Sequence, residues 1–331
     1  MKILMIGGTG RISKAVSDEV VSRGHELYVL NRGNHNDVLR KSVKTFTCDI
    51  SDEPAVRDVL KGHTFDVVVE WFAFTPEHIE RDIRLFKEIT EQYVFISSAS
   101  AYQKPLPKLP ITEDIPLDNP FWDYSRNKQL CEETLLKEKS DSFNVTIVRP
   151  SHTYDDTSLV FQLKPRNHPF TLIKRMLERE PIVIPDDGES KWTLTYNDDF
   201  APGFTDLLGN KKAYNDTFHL TSDKVYTWNE ITRSFYDALD IEPNIMHIPT
   251  DFILKYFPDY EGELLGDKNN DALFDNTKIK AVSPNYKSVT EYPDIAKRVI
   301  AHHMENPSLQ TIDERFMQTY DTMIRDFKKR G

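Results

Sequence analysis

The sequence has very little cysteine, no long apolar run and fewer basic than acidic residues. Only two of its 331 residues are cysteines, Cys48 and Cys131, and their separation argues against a disulfide framework or a cysteine-based zinc site. No apolar run approaches the roughly 20 residues of a membrane-spanning helix, so we expect no membrane partner. The 42 Lys and Arg residues are outnumbered by 53 Asp and Glu residues, for a net charge of −11. Because such a surface repels phosphate backbones, we also expect no nucleic-acid partner.

The amino-terminal residues show no sign of a secretion signal. The short apolar run Ile3–Ile6 leads directly into a glycine turn, without the longer apolar region and small-residue cleavage site of a signal peptide. Together with the scarcity of cysteine, this predicts a cytoplasmic protein. No metal site is predicted, because the adjacent His302 and His303 would face different sides of a helix.

The first 150 residues alternate between strand-like and helix-like patterns. Short apolar or β-branched runs, typical of buried parallel strands, are separated by segments whose apolar residues recur at helical spacing. The strand-like runs are Ile3–Ile6, Leu27–Leu30, Val67–Val69, Tyr93–Ile96 and Val145–Val148. This alternation predicts an α/β fold with a doubly wound parallel sheet.

Beyond Pro150 the regular alternation ends, and the chain is long enough for a second domain. The patterns there predict helices over 170–178 and 228–239, strands over 182–184 and 245–248, and a polar helix from Thr311. We predict a Rossmann domain over residues 1–165, joined by 193–222. A smaller, discontinuous carboxy-terminal substrate domain would take residues 166–192 and 223–331.

A glycine-rich turn follows the first strand-like run and precedes the first helix-like segment. Its sequence is Gly7-Gly8-Thr9-Gly10-Arg11-Ile12-Ser13. Gly7 permits a tight turn, Gly10 lets the backbone approach a pyrophosphate, and Ser13 is small enough for close packing of helix on strand. The helix amino terminus offers free N–H groups and a partial positive charge to phosphates. The motif predicts a dinucleotide site, with a flexible turn as the alternative, and its predicted contacts are Gly7, Thr9, Gly10, Arg11 and Ile12.

The residues after the second strand bear on the choice of dinucleotide. An NAD site usually has an Asp or Glu about 20 residues after the glycines, but the segment Leu30–Gly33 contains no acid. Arg32, helped by Arg11, is placed to pair with a 2′-phosphate, which favours NADP and leaves NAD open. The alternative is that Arg32 is an ordinary solvated arginine.

A third predicted strand ends before Asp49. This carboxylate is a candidate for binding the adenine amino group, and a simple strand-end cap is an equal alternative. With the residues around Arg32, the predicted contacts in these two loops are Asn31, Arg32, Asp49 and Ile50.

Tyr124 and Lys128 stand four residues apart in a segment with helical character. That spacing places both side chains on one face of a helix, about 5–6 Å apart at Cβ. A nearby ammonium favours phenolate and would lower the pKa of a tyrosine from its usual value of about 10. The pair therefore suggests proton transfer near neutral pH, although the motif is common when it stands alone.

Together these motifs resemble the extended short-chain dehydrogenase/reductase family, in its NAD(P)-dependent epimerase/dehydratase branch. The resemblance covers most of residues 1–220 and implies a Rossmann fold, NAD(P), a small-molecule substrate and a homodimer. The segments that carry it are Gly7–Gly10, Asp49, Ser97–Tyr102, Thr112–Asp114, Tyr124 with Lys128, Arg149-Pro150 and Asn197–Ala201.

The resemblance also implies a catalytic trio. The family has a serine or threonine four residues before a tyrosine, so Tyr102 identifies Ser98, with Ser100 in reserve. Ser98 would hydrogen-bond the substrate oxygen, and Tyr124 would exchange the proton on that oxygen. Lys128 would tune Tyr124 and bind the nicotinamide ribose, and nicotinamide C4 would exchange the hydride. The remaining candidates are Ser100, Tyr102 and His152 for the substrate, and Phe72, Tyr124, Lys128 and Pro150 for the cofactor.

Three departures from the family pattern limit what the resemblance implies. Glu70-Trp71-Phe72-Ala73-Phe74 stands where the family usually has two small residues after the fourth strand, so bulky aromatic side chains would narrow the cofactor or substrate pocket. His152 replaces the usual continuation after Arg149-Pro150 and is also interpretable as a packed or solvated histidine. Lys191-Trp192-Thr193 stands where the family often has an arginine for a sugar-nucleotide diphosphate, which weakens the prediction of a nucleotide-sugar substrate.

We therefore predict an NAD(P)-dependent oxidoreductase or epimerase that acts on a carbonyl or a sugar-type hydroxyl. Outright reduction, epimerisation through a transient ketone, and dehydration all remain open. The absence of an acid from Ser98-Ala99-Ser100 disfavours dehydration. The alternative is a cofactor-binding regulator or RNA-binding protein on the same fold, because fold alone does not determine function.

Overall fold

The computed structural model describes residues 1–284 and 286–330. In chain order its strands are β1 Lys2–Ile6, β2 Glu26–Asn31, β3 Lys44–Thr47, β4 Phe65–Glu70, β5 Thr90–Ile96, β6 Asn144–Pro150, β7 His152–Tyr154, β8 Ile182–Pro185, β9 Lys191–Trp192, β10 Leu194–Tyr196, β11 Asp216–Leu220, β12 Tyr226–Thr227 and β13 Ile245–Ile248. The α-helices are α1 Arg11–Ser22, α2 Glu53–Leu60, α3 Pro76–Phe86, α4 Asp123–Glu138, α5 Phe170–Leu177, α6 Asn197–Thr205, α7 Trp228–Leu239, α8 Thr250–Ile253, α9 Glu261–Glu263, α10 Thr277–Val282, α11 Tyr292–Glu305 and α12 Glu314–Lys328.

Seven parallel strands form the central sheet, in the order β11-β6-β5-β4-β1-β2-β3. The order reverses direction at β1, from which the chain first builds outward through β2 and β3 and then crosses to β4. In open sheets of this kind, ligands bind at the carboxyl ends of the strands beside that reversal. The predicted α/β fold with a doubly wound parallel sheet is therefore confirmed.

Alternation along the strands divides the core into two layers, one on each face of the sheet. In β1, Ile3 and Met5 belong to a cluster with α1 and α6, whereas Leu4 and Ile6 belong to a cluster with α2, α3 and α4. Successive side chains of a strand point to opposite faces, so a continuous apolar run can fill both layers.

The described chain divides into two compact units. The first comprises residues 1–153, 195–223 and 274–288, and the second comprises 154–194, 224–273 and 289–330. The first stretch of the first unit ends at residue 153, earlier than the predicted boundary at residue 165. The chain also returns to this unit over residues 274–288, which was not predicted. That return is explained by packing, since Ile279 and Tyr286 join the core layer on the α1 and α6 face.

The second unit holds two small sheets and several helices. Strand β12 pairs antiparallel with β9, and β13 pairs parallel with β8. A capping box starts α7, because the Thr227 hydroxyl accepts from the Glu230 amide and the Glu230 carboxylate accepts from the Thr227 amide. None of the described helices is long and apolar enough to cross a membrane.

Candidate cofactor and active site

The glycine turn between β1 and α1 can be made only by small residues. Gly7 and Gly8 have φ angles of +104° and +97°, a region that side chains with a Cβ rarely adopt. A Cβ on Gly7 would lie 2.5 Å from Phe72 Cε2, and one on Gly8 would lie 2.9 Å from Val29 Cγ2. Both positions therefore require glycine for conformation and for space.

The amino terminus of α1 is open to an anion. Gly10 is the N-cap residue, and no acidic side chain lies in the first turn to offset the positive end of the helix. Ser13 is 4% exposed, and its hydroxyl accepts the Gly10 amide at 2.9 Å. The turn and helix together fit the pyrophosphate of a dinucleotide.

A cavity of about 420 Å³ opens beside this turn at the carboxyl ends of β1, β2, β3 and β4. Seven of the predicted cofactor contacts line it, namely Gly7, Thr9, Asn31, Arg32, Asp49, Ile50 and Phe72. The predicted contacts outside this lining are Gly10, Arg11, Ile12, Tyr124, Lys128 and Pro150. Phe74 also lines the cavity, together with His78 and Arg81, which the sequence did not indicate.

The electrostatics of this cavity centre on one carboxylate. Asp49 accepts hydrogen bonds from the Ser51 amide at 2.9 Å and the Ser51 hydroxyl at 2.7 Å. These bonds, supported by the charges of Arg32 and Arg81, lower the pKa of Asp49. An ionised carboxylate therefore faces the cavity, where it can accept from an amino group.

Asn31 holds the loop after β2 rather than presenting its amide to the cavity. Its Oδ1 accepts the Gly33 amide at 2.8 Å, and its Nδ2 donates to Asn36 Oδ1 at 2.8 Å. Gly33 has a φ of +81°, which suits glycine in such a turn. Both polar atoms of the Asn31 side chain thus help to form the loop that carries Arg32, and its contact with a cofactor remains a prediction.

The predicted trio lies on the turn after β5, which carries Ser98, and on α4, which carries Tyr124 and Lys128. Ser97 is 2% exposed, whereas Ser98 is half-buried. Ser98 is the N-cap of a short 3₁₀ helix, Ala99–Ala101. The Ser98 hydroxyl lies 2.9 Å from Ser100 Oγ, which in turn accepts from the Ser125 hydroxyl at 2.8 Å. Three hydroxyls therefore tie the serine turn to the first turns of α4.

Lys128 is almost completely buried beneath Tyr124 on the same helix. It is 2% exposed, and its Nζ donates to the carbonyls of Ala73 at 2.8 Å and Ile96 at 2.7 Å. Nζ lies 5.9 Å from the centre of the half-buried Tyr124 ring. Burial lowers the pKa of Lys128 to about 8, so the side chain is mainly ammonium at neutral pH.

The next turn of the same helix is fixed by a buried ion pair. Glu132 is 2% exposed and accepts two donors of Arg149, which is itself 6% exposed on β6. Tyr124, Lys128 and Glu132 are spaced by four residues and share one face of α4. The Arg149–Glu132 pair therefore fixes the rotation of the helix that presents Tyr124 and Lys128.

Two of the predicted substrate contacts belong to the interior. Tyr102 is 0% exposed, with the Arg149 guanidinium 4.9 Å from its ring centre. Ser100 is 5% exposed, and its hydroxyl is engaged by Ser98 and Ser125. Both side chains have partners within the first unit, and their contact with a substrate remains a prediction.

The other predicted contacts differ in how far they are exposed. His152 is half-buried on β7, Arg11 is exposed, Ile12 packs against the core, and Pro150 is buried at the end of β6. The contact of Pro150 with a cofactor remains a prediction. Among the described residues, no group of three or more His, Cys, Asp or Glu side chains is arranged to hold a metal.

The sequence of this chain is similar to those of known proteins over most of its length. The model of the NAD dependent epimerase/dehydratase family matches residues 3–219, more than half of the chain. The Chloroplast stem-loop binding protein of 41 kDa b of Arabidopsis thaliana is 29% identical over 261 residues, covering 74% of this chain and 65% of that protein. The 2′-dehydrokanamycin reductase of Streptomyces kanamyceticus is 23% identical over 290 residues, covering 87% of this chain and 80% of that protein.

A solved structure supports the fold. UDP-glucuronic acid 4-epimerase from Bacillus cereus, in complex with UDP-glucuronic acid and NAD, has a TM-score of 0.72 at 17% identity, covering 92% of this chain and 99% of that chain. A glycine turn at a sheet reversal with a cavity beside it defines a fold of the Rossmann type. The chain belongs to the NAD dependent epimerase/dehydratase family.

The predicted family membership is confirmed by these matches. The alternative of a non-enzymatic regulator or RNA-binding protein is not supported. The matching family is named for epimerases and dehydratases, and the similar Streptomyces and Bacillus proteins are named as a reductase and an epimerase. The name of the Arabidopsis protein describes stem-loop binding by that protein.

Proposed function

We propose that the protein is an NADP-dependent oxidoreductase that reduces a carbonyl or epimerises a sugar-type hydroxyl of a small substrate. The observation that carries this proposal is the environment of Lys128, a buried ammonium held by two backbone carbonyls one helical turn from Tyr124. A buried cation without a carboxylate partner in direct contact is costly, so a functional role explains it better than a structural one.

The chain's own residues have separable tasks in this proposal. A bound nicotinamide supplies or accepts the hydride at the substrate carbon. Tyr124 donates a proton to the substrate oxygen during reduction, or removes one during oxidation, and Lys128 favours the phenolate form in either direction. Ser98 hydrogen-bonds the same oxygen, and its hydroxyl is oriented by Ser100.

The proposed site for the adenosine half is the cavity at the ends of β2 and β3. Asp49 would accept from the adenine amino group, and Arg32 would pair with the 2′-phosphate of NADP. The support for NADP is that Arg32 lines the cavity and that the loop Asn31–Asn34 carries no acid to bind a ribose hydroxyl.

Titration of both cofactors into the wild type and Arg32→Ala tests this preference. A charge-assisted phosphate contact is worth about 1.5–3 kcal/mol, so the variant should lose most of a preference for NADP(H) over NAD(H). Arg57→Ala, an exposed arginine on α2, serves as the matched control and should leave the ratio unchanged. An NAD preference in the wild type, or an unchanged ratio in Arg32→Ala, would contradict the assignment.

The reaction is tested by identifying the substrate and then removing one hydroxyl. A panel of carbonyl compounds and nucleotide sugars separates reduction, which consumes NADPH, from epimerisation, which interconverts sugars without net consumption. On the substrate found, Tyr124→Phe should lower turnover by at least about 10²-fold, the lower range for general acid–base catalysis. Cofactor binding should persist, because the ring is retained.

Tyr214→Phe provides the control for loss of a tyrosine hydroxyl elsewhere in the first unit. The Tyr214 hydroxyl donates to Glu91 Oε1 at 3.3 Å. Removing this hydroxyl should leave turnover near the wild-type value. Near-normal turnover in Tyr124→Phe would show that the proposed trio is structural only. The homodimer and the cytoplasmic location remain predictions.

A further inference from the structure

A pair of buried carboxyl groups lies directly behind the cofactor cavity. Glu70 ends β4, Asp82 lies on α3, and both are 0% exposed. The two groups are close neighbours in the interior, and Asp82 raises the pKa of Glu70. Two ionised carboxylates cannot be neighbours in an apolar interior without a large electrostatic cost, so a proton must lie between them.

The surrounding donors indicate which carboxyl group carries that proton. Asp82 Oδ1 accepts from Arg81 Nε at 2.8 Å, and Asp82 Oδ2 accepts from the Tyr93 hydroxyl at 2.7 Å. Glu70 Oε1 accepts the Phe72 amide, whereas its buried Oε2 receives no donor from the described residues. Asp82 is thus stabilised as the carboxylate, and Glu70 Oε2 is the atom left to hold the proton.

Glu70 also begins the segment that separates the cofactor cavity from Lys128. The Phe72 ring lies against Gly7, and the Ala73 carbonyl accepts from Lys128 Nζ. The Phe74 ring centre is 4.9 Å from the same Nζ. Both phenylalanines line the cavity, so a shift of the Phe72 amide would disturb the glycine turn and the lysine together.

We propose that Glu70 is a positioning residue that works as a neutral carboxylic acid. It donates its proton to Asp82 and accepts the Phe72 amide, and so fixes residues 71–74 between the cavity and Lys128. A direct chemical role does not fit, because a fully buried carboxyl group cannot reach a substrate. The inference rests on the proposed cofactor site, but its first test needs neither cofactor nor substrate.

The charges around Glu70 support this protonation state. The groups that face it are Asp82 and Arg81 on α3, Tyr93 on β5 and Lys128 on α4. Burial and the Asp82 charge raise the pKa of Glu70 well above the ordinary carboxyl value of 4.5. The folded protein therefore keeps a proton that the unfolded chain loses, so its stability falls as pH rises from that value through the folded pKa.

Glu70→Gln tests the proposal because its amide can donate to Asp82 and accept from Phe72 at every pH. In the wild type, the unfolding free energy should fall with rising pH with a slope equivalent to about one bound proton. In Glu70→Gln this contribution to the slope should be absent. NADPH affinity should stay within about twofold, since the hydrogen bonds are preserved. Glu80→Gln changes an exposed acid on α3, the helix that carries Asp82, and it should keep the wild-type dependence on pH.

Glu70→Leu provides the opposite outcome, because it leaves the Phe72 amide and the Asp82 carboxylate without their partner. If it folds, NADPH affinity should fall by at least about tenfold, the effect of an unsatisfied buried group. A wild-type pH slope in Glu70→Gln would overturn the neutral state of Glu70. NADPH binding weakened as much in Glu70→Gln as in Glu70→Leu would overturn the positioning role, whereas loss of NADPH binding by the wild type itself would instead refute the proposed cofactor.

Discussion

Helix α4 and the strands beside it bury two cations, Lys128 and Arg149, in opposite ways. Arg149 faces the Glu132 carboxylate with two donors, and this pairing raises its pKa despite burial. Among the described residues, Lys128 has only the backbone carbonyls of Ala73 and Ile96 within hydrogen-bonding distance, and burial lowers its pKa to about 8. One cation is neutralised by its partner, and the other keeps a charge that the surroundings do not cancel.

The difference separates a structural role from a functional one. A paired arginine cannot change its charge near neutral pH, so the Arg149–Glu132 pair can only hold α4 in place. A lysine with a lowered pKa can respond to a neighbouring phenol and to pH. The same face of one helix therefore carries a fixed anchor and a tunable cation one turn apart.

The largest effect is expected from breaking the anchor. Arg149→Met leaves Glu132 as an unpaired buried carboxylate, which should cost about 3–5 kcal/mol of unfolding free energy. Denaturant unfolding measures this loss. Arg126→Met, which removes an exposed arginine of α4 paired with Asp123, should cost less than about 1 kcal/mol.

The double variant Glu132→Met with Arg149→Met sharpens this prediction. Replacing both partners by apolar side chains removes the orphaned charge, so much of the lost stability should return. Wild-type stability in Arg149→Met alone would mean that the pair does not anchor the helix.

A smaller effect on stability and a large one on turnover are expected from Lys128→Met. The substitution removes the cost of a buried ammonium but also removes two donors to carbonyls, so the melting temperature should change little. Turnover should fall by about 10²-fold as the support for phenolate is lost. Lys137→Met, an exposed position on the same helix, is the control. A large loss of stability with normal turnover per folded molecule would reverse the roles assigned to the two cations.

The contrast between these cations also explains what could be predicted from sequence. The Tyr124–Lys128 pair is local, so its spacing of four predicted the shared helix face, and the glycine turn was predicted for the same reason. Glu70, Asp82 and Tyr93 come from β4, α3 and β5, and only the folded sheet brings them together. A carboxyl group at the end of the apolar run Val67–Val69 was the one available signal for that cluster.

Tyr102 and Ser100 were assigned to the substrate for a related reason. Their positions in a motif after β5 suggested an exposed site, but exposure depends on partners that are distant in sequence. Arg149 covers the Tyr102 ring, and Ser125 engages the Ser100 hydroxyl. Motif position cannot indicate burial, because tertiary packing decides which side chains of that turn face outward.

The smallest effect should come from pH alone, which can discharge Lys128 but not Arg149. At one pH unit above its pKa of about 8, only about a tenth of Lys128 keeps its proton, so turnover in the reducing direction should fall by about tenfold. The pKa of Lys128 is depressed from its ordinary value of 10.5. Between these two values the unfolded chain binds more protons, so the contribution of Lys128 to stability rises with pH while activity falls. Subtracting the unfolding free energies of Lys128→Met from those of the wild type, pH by pH, isolates that rise. A difference that stays flat through this range would mean that Lys128 is not the tunable cation.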